Sequence, residues 1–242
     1  MKKIHRLRIF AGPNGSGKTS VLHNLLNEKN VNLGVYVNAD DIEKKLKTGL
    51  NFSDYTINVQ ALEIQKYIQS SNFSPIKRKE LDLWQKVQCN NNILSINTHT
   101  DSYLAADIAE FIRQKLLELR CSFTFETVMS SASKIDFLKK AALMKYRIYL
   151  YYISTEDPEI NISRVKVRVS QNGHEVPDNL VRERYEKSMN NLKEAIKYTY
   201  RTFLFDNSGS KVRFIAEIFK GNEVLLADKE NIPLWIEKYV FN

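Results

Sequence analysis

Cysteine is nearly absent from this 242-residue sequence, which holds only Cys89 and Cys121. With no CxxC spacing and no ligand cluster beside either residue, neither a disulfide framework nor a structural zinc site is expected, and a reducing cytoplasm is the implied setting. Long apolar runs are missing as well. None approaches the roughly 18 residues that a membrane-spanning helix needs. The opening Met1-Lys-Lys-Ile-His-Arg-Leu-Arg is basic but runs directly into a short apolar stretch and a glycine loop. That order lacks the apolar core of a secretory leader, so none is expected. Internal repeats and low-complexity tracts do not occur either.

What is present suits one large α/β domain. A hydrophobic content of 43% can furnish a core, and the formal net charge of +8 favours an anionic partner. Charge alone does not distinguish a nucleotide, a sugar phosphate, a nucleic acid or an acidic protein. Along the chain, Leu7 to Ala11 reads as a strand, Gly17 to Glu28 as a helix and Val35 to Val37 as a second strand, with a helix beginning near Asp40 or Asp41. Tyr103 to Leu119 has an amphipathic period. Ser122 to Phe125 reads as a strand, Ser131 to Lys145 as a helix, and Arg147 to Ile153 as a strand buried on both faces. Leu180 to Tyr198 reads as a helix, Thr202 to Phe205 as a strand, Val212 to Ala227 as a hairpin turning at Lys220-Gly-Asn, and Ile232 to Val240 as a docking helix. The alternation predicts a parallel sheet flanked by helices. The segment 51–97, rich in Asn, Gln, Ser and Lys, fits this scheme poorly and reads as a helical insertion in a single domain spanning 1–242.

Gly12-Pro13-Asn14-Gly15-Ser16-Gly17-Lys18-Thr19 matches the phosphate-loop pattern G-x-x-x-x-G-K-[ST]. It lies between an expected strand and an expected helix, as that motif requires. Glycines let backbone amides converge on phosphate oxygens, and the helix that follows adds unpaired N–H groups and the positive end of its dipole. Lys18 would neutralise β- and γ-phosphate charge, and the Thr19 hydroxyl would ligate Mg²⁺. Ser20 extends the same nucleotide contact. The expected class is therefore a P-loop kinase or NTPase using ATP and Mg²⁺.

Two acidic positions follow strands where acceptor groups gather. Asp40 could act as base or positioning acceptor for a hydroxyl. It could equally cap its helix, since Glu43 follows three residues later as in a capping box. Glu126, with Thr127 beside it, ends a strand on the side where α/β proteins bind ligands, or is simply an exposed strand-end carboxylate. The run Arg164-Val-Lys-Val-Arg-Val alternates with period two and by itself reads as a strand.

Phe10-Ala-Gly-Pro-Asn-Gly-Ser-Gly-Lys-Thr, Val37-Asn-Ala-Asp-Asp-Ile, Phe125-Glu-Thr-Val-Met-Ser, the Arg164 to Val169 run, Gly173-His-Glu-Val-Pro and the pair Arg184-Tyr185 together resemble the zeta-toxin family of P-loop kinases, in particular its stand-alone bacterial branch. The resemblance covers Ile9 to Asp41 and Tyr103 to Asn207 and leaves 51–97 unexplained. It implies transfer of a phosphoryl group from ATP to a hydroxyl of a small metabolite, the characterised members acting on the sugar 3′-hydroxyl of UDP-N-acetylglucosamine. It also implies Asp40 as the base, Glu126 as the substrate-contacting carboxylate, and Arg164 and Arg168 as phosphate-embracing arginines on one helix face. His174 is read as a turn residue.

Two other classes compete. One is a nucleic-acid or nucleotide kinase or NTPase, against which Lys and Arg are dispersed with no aromatic-basic module evident. The other is a nucleotide-binding toxin component held by an antitoxin. Within 51–97, Phe52, Tyr55, Tyr67, Phe73, Trp84 and Lys77-Arg-Lys could form a cap over the acceptor, or the aromatics could merely anchor the insertion to a core.

Overall fold

The computed structural model describes residues 4–29, 31–71, 82–98, 100–171, 175–227 and 229–241. In chain order the elements are β1 (Arg6–Ala11), α1 (Lys18–Lys29), β2 (Val35–Val37), α2 (Ala39–Leu46), β3 (Leu50–Asn51), α3 (Ala61–Ser70), β4 (Val87–Asn90), β5 (Ile93–Ile96) and α4 (Ser102–Glu118). There follow β6 (Phe123–Thr127), α5 (Ala132–Leu143), β7 (Arg147–Ser154), α6 (Pro158–Ser170), α7 (Asp178–Ile196), β8 (Arg201–Asp206), β9 (Arg213–Phe219), β10 (Glu223–Leu226) and α8 (Leu234–Ile236). Two compact units result, Met1–Asn32 with Phe125–Asn242, and Leu33–Thr124. Among the described residues no helix is long and apolar enough to cross a membrane.

In the first unit the strands lie in the order β10-β9-β8-β7-β1-β6. β1 pairs in parallel with β7, and β7 in parallel with β8, whereas β9 and β10 form the expected antiparallel hairpin. β7 departs from expectation. Its Arg147, Tyr149 and Tyr151 are half-buried and alternate with buried Ile148, Leu150 and Tyr152, so only its last residues are buried on both sides. The covered side is closed by α7 and α8: Tyr152 Oη lies 3.0 Å from Ser188 Oγ, and its ring stands 6.0 Å from that of Trp235. Burial pushes the Tyr152 and Tyr185 phenols above the ordinary tyrosine range, so both stay protonated hydrogen-bonding groups at neutral pH.

α6 shows tertiary context overriding a local pattern. Its alternating valines suit a strand, yet Asp157 caps the start by accepting from Glu159 N, and Pro158 occupies the first helical turn. Ile162 and Val165 then bury one helical stripe against Val176 and Val181. The run is therefore helical, with Arg164 and Arg168 one turn apart. At the C-terminus the expected docking helix is shorter: one turn of α8 continues as a π-turn over Glu237–Phe241.

In the second unit, α2 is capped by Asn38, whose side-chain oxygen accepts from Asp40 N at 2.8 Å. Asp40 is thus the second residue of the helix and not its cap. The segment 51–97 holds more than a helix: β3, β5 and β4 form an antiparallel sheet in that order, beside α3. Asn92 fastens its turn, donating to Ile57 O and accepting from Val59 N. Phe52 and Tyr55 are buried and Tyr67 packs 5.0 Å from Phe111, so these three serve packing, while Trp84 is half-buried. Phe73 and Lys77-Arg-Lys lie outside the described residues.

Tyr185 Oη donates 2.6 Å to the carbonyl of buried Thr155, next to the end of β7. Tyr185→Phe leaves that oxygen with the longer 3.3 Å bond from Ser154 Oγ. The expected cost is about 1–3 kcal/mol, read as a lower urea unfolding midpoint at constant slope; an unchanged midpoint would show that the bond contributes nothing net.

Candidate active site

The loop Gly12–Thr19 leaves the carboxyl end of β1, which lies between β7 and β6. At such a point the strand order reverses and a crevice opens at the strand ends. The loop is pressed hard against its neighbours. Gly12 has φ +143°, and a Cβ there would lie 1.9 Å from Ile153 O; Gly15 has φ +74°, and its Cβ would lie 2.5 Å from Asn161 O. Any side chain at either position collides with backbone and strains the left-handed conformation.

Residues that sequence reasoning missed fix the loop from behind. Fully buried Asn161 donates to Asn14 O at 2.6 Å while its own oxygen accepts from Thr155 Oγ1. Asn207 donates from Nδ2 to Ser16 O at 2.8 Å, and its backbone N–H bonds Ser154 O at 2.8 Å. Just before it, Asp206 is 2% exposed and accepts from Trp235 Nε1 at 3.1 Å, Ser208 Oγ at 2.7 Å and Arg213 Nη2 at 3.4 Å. The one local signal was Asn207-Ser-Gly, a turn composition after an apolar strand; nothing in it announced a bond to the glycine loop.

The expected site residues sort by unit. Lys18 Nζ arches back over the loop, donating to Gly12 O at 2.9 Å and Pro13 O at 2.8 Å. Thr19 Oγ1 donates to Glu126 Oε2 at 2.9 Å, joining the residue expected to hold metal to the one expected to hold substrate. Ser20 is exposed on the same turn. Thr127 supports the chain instead of projecting freely: its O accepts from Gly12 N at 3.3 Å and its Oγ1 from Met129 N at 3.1 Å. Half-buried Arg164 donates to Asn207 O at 2.7 Å and Gly209 O at 3.2 Å, and Arg168 is exposed one turn further along α6. Asp40 belongs to the second unit, and His174 lies outside the described residues.

The donor set fits a nucleotide polyphosphate. Ser16 is fully buried, and its Oγ has no hydrogen-bond partner among the described residues. A hydroxyl stranded in a loop of convergent amides is matched by a phosphate oxygen. The Thr19 hydroxyl and Glu126 carboxylate are hard oxygen donors of the type Mg²⁺ takes. No cluster of three or more His, Cys, Asp or Glu side chains occurs among the described residues. A cation here would keep several waters and phosphate oxygens, as Mg²⁺ prefers.

A glycine loop between a central strand and the following helix, in a mainly parallel sheet flanked by helices, defines a P-loop nucleotide-binding fold. The zeta toxin family profile matches residues 88–232, more than half of the 242-residue chain, and the chain belongs to that family. It is 35% identical over 63 residues to an uncharacterized protein of Haemophilus influenzae (strain ATCC 51907 / DSM 11121 / KW20 / Rd), a match covering 26% of this chain and 45% of the relative. The matched stretch thus spans less than half of that relative. Among solved structures, a chain of the AvrRxo1-ORF1:AvrRxo1-ORF2 complex with sulphate ions superposes at TM-score 0.55 and 15% identity, covering 98% of this chain and 64% of that one. The same complex with ATP gives TM-score 0.55 at 14% identity, with 98% and 64% coverage. A chain of the PezAT chromosomal toxin-antitoxin system of Streptococcus pneumoniae gives TM-score 0.55 at 13% identity, covering 100% of this chain and 80% of that one. At such identities the likeness is one of fold.

Asn207→Ala removes the donor to Ser16 O and frees the loop on its Arg164 side. ATP affinity is expected to fall about tenfold, the equivalent of one good hydrogen bond to a preorganised loop. Calorimetric titration checks this, and an unchanged dissociation constant would show that the loop keeps its shape without Asn207.

Proposed function

We propose that the protein is a kinase that transfers the γ-phosphoryl group of ATP to a hydroxyl of a small metabolite, with a UDP-N-acetyl sugar as the acceptor class implied by family membership. The observation that carries this reading is the fixed glycine loop with Lys18, the Thr19–Glu126 pair and Arg164 gathered in one unit. The amides of Gly12 to Thr19 hold the phosphates, with Pro13, Asn14 and Ser20 shaping the edges of the cradle. Lys18 exchanges its loop carbonyls for β- and γ-phosphate oxygens. Mg²⁺, held through Thr19, would supply charge neutralisation between these phosphates.

In the transfer, the acceptor hydroxyl oxygen forms a bond to the γ-phosphorus, the bond from that phosphorus to the β–γ bridging oxygen breaks, and ADP leaves. Asp40 takes the acceptor proton, a role assigned by family correspondence. Glu126 and Thr127 are assigned to acceptor binding on the same ground, and Arg164 and Arg168 to the charge on the transferring group. Residues 1–242 would act as a single kinase domain in the cytoplasm, where ATP and nucleotide sugars are available.

A second reading concerns partners. One structural neighbour belongs to the PezAT chromosomal toxin-antitoxin system, and another to the AvrRxo1-ORF1:AvrRxo1-ORF2 complex. By analogy, a protein antitoxin that blocks the nucleotide site would fit a chain of this family. Nucleic acid as acceptor remains the competing substrate class. ADP release measured with UDP-sugars, with oligonucleotides and with neither separates these possibilities.

Lys18→Ala is expected to abolish phosphotransfer while thermal unfolding stays close to wild type, because the loop retains its glycine geometry and its Asn161 and Asn207 bonds. Wild-type turnover in that variant would overturn the phosphate-loop assignment. Asp40→Asn should keep ATP affinity and lose about a hundredfold in rate if the carboxylate takes the proton. Equal rates would leave Asp40 as a first-turn acid favouring its helix dipole.

A further inference from the structure

β10 ends the first unit's sheet, and its outer side has the hydrogen-bonding pattern that a further strand requires. Two bonds fix which peptide groups face outward. Ala227 N donates to Ile215 O at 2.9 Å, and on the other side of β9 Lys220 N donates to Tyr200 O at 3.1 Å. In an antiparallel ladder, the residues whose N–H and C=O both point at a given neighbour alternate along the strand. Ile215, Glu217 and Phe219 therefore bond to β10, and the register gives them Ala227, Leu225 and Glu223 as partners. Val224 and Leu226 turn their N–H and C=O groups away from the sheet. Among the described residues nothing bonds to those groups.

Open edges are ordinarily blunted by lysine, proline or a bulge. β10 has none of these. Glu223-Val-Leu-Leu226 carries one charge, at its turn end, and its register with β9 runs unbroken. Val224 is 45% exposed on one face of the strand and Leu225 68% exposed on the other. Arg201, which lines a cleft together with Leu225, is already paired with Glu217 at 2.7 Å. The edge thus offers apolar side chains and peptide groups, and no free charge.

The spacing of the outward groups selects the occupant. A two-fold axis through Leu225 sets Val224 opposite Leu226 of an antiparallel second copy, and Leu226 opposite the copy's Val224. All four are outward-facing residues, so four interchain hydrogen bonds can form. Leu225 then meets its own counterpart as a directly opposed pair, with Cβ atoms about 5 Å apart. Glu223 comes opposite Ala227, so like charges do not meet. An axis at Val224 would instead set Leu225 against Glu223 and Leu226 against Asn222 of the turn, and an axis at Leu226 would carry the pairing past the end of the strand. We propose that two copies of this chain join edge to edge through β10, with the two-fold axis on Leu225. Four residues per copy bury less than the roughly 1,200 Å² at the lower end of stable interfaces, so a weak dimer is expected, with a dissociation constant on the order of tens of micromolar. Three strands, β9, β8 and β7, separate β10 from β1 and its phosphate loop, and the pairing does not depend on kinase activity.

Sedimentation equilibrium of the full chain, over concentrations that bracket this value, tests the pairing. The wild type is expected to dimerise. Leu225→Lys and Leu225→Glu should each stay monomeric, because like charges then meet on the axis. Mixed in equal amounts, the two variants should associate again, since opposite charges face each other across it. Leu225 lies largely in solvent in the single chain, so neither change endangers the fold. Val224→Pro removes an outward N–H and no bond to β9, and should weaken association about tenfold. ATP affinity should be unchanged in all three variants. A wild type that stays monomeric, charged variants that dimerise as the wild type does, or an equal mixture that stays monomeric would overturn the proposal. A monomeric wild type that binds a fluorescein-labelled Thr-Val-Thr-Val-Thr-Val peptide, with binding lost in Val224→Pro, would assign the edge to a foreign strand instead.

Discussion

Everything at the site depends on a loop that has no room for a β-carbon. Gly12 lies against the Ile153 carbonyl and Gly15 against the Asn161 carbonyl, so the backbone that would hold phosphate is in direct contact with the end of β7 and the first turns of α6. A preorganised set of N–H donors is worth more than a flexible one, because it does not have to be ordered when ligand arrives. The fold therefore uses glycine where the chain must touch chain, and uses amide side chains to prevent recoil.

Those side chains connect elements far apart in sequence. Asn161 and Asn207 bond the carbonyls of Asn14 and Ser16, and Asn207 also offers its own carbonyl to Arg164. Behind them, the buried Asp206 carboxylate gathers Trp235, Ser208 and Arg213. A buried charge is tolerable only when paired and hydrogen-bonded in this way. Its effect is to fix the Asn207–Gly209 turn, and through that turn the arginine of α6. The short C-terminal helical turn that carries Trp235 thus supports the phosphate loop from the far end of the chain.

Much of this was legible in the sequence where the signal was local. The glycine loop, the strand before it and the helix after it follow from one motif and its flanks, and the C-terminal hairpin from its Lys220-Gly-Asn turn. Arg164 and Arg168 share a helix face only because Asp157, Pro158 and the packing of Ile162 and Val165 overrule the valine alternation. β3, β4 and β5 were missed because strands of two to four residues are too short to display a period. Of the two readings of Asp40, base or cap, the cap reading falls, since the capping side chain is that of Asn38. Arg8, Tyr149, Arg201 and Phe219 are scattered along the sequence, and strand register alone sets them side by side. Asn161, Asn207 and Asp206 carried no usable signal, their partners being set by topology.

Family membership and the loop geometry converge on phosphoryl transfer, and the acceptor is the point at which the account is most exposed. Phosphorus-31 NMR of the purified protein with Mg·ATP and UDP-N-acetylglucosamine tests it most directly. The account predicts a new phosphomonoester resonance growing in step with ADP and absent with Lys18→Ala. Formation of ADP and inorganic phosphate with the sugar nucleotide unchanged, or no consumption of ATP at all, would contradict it.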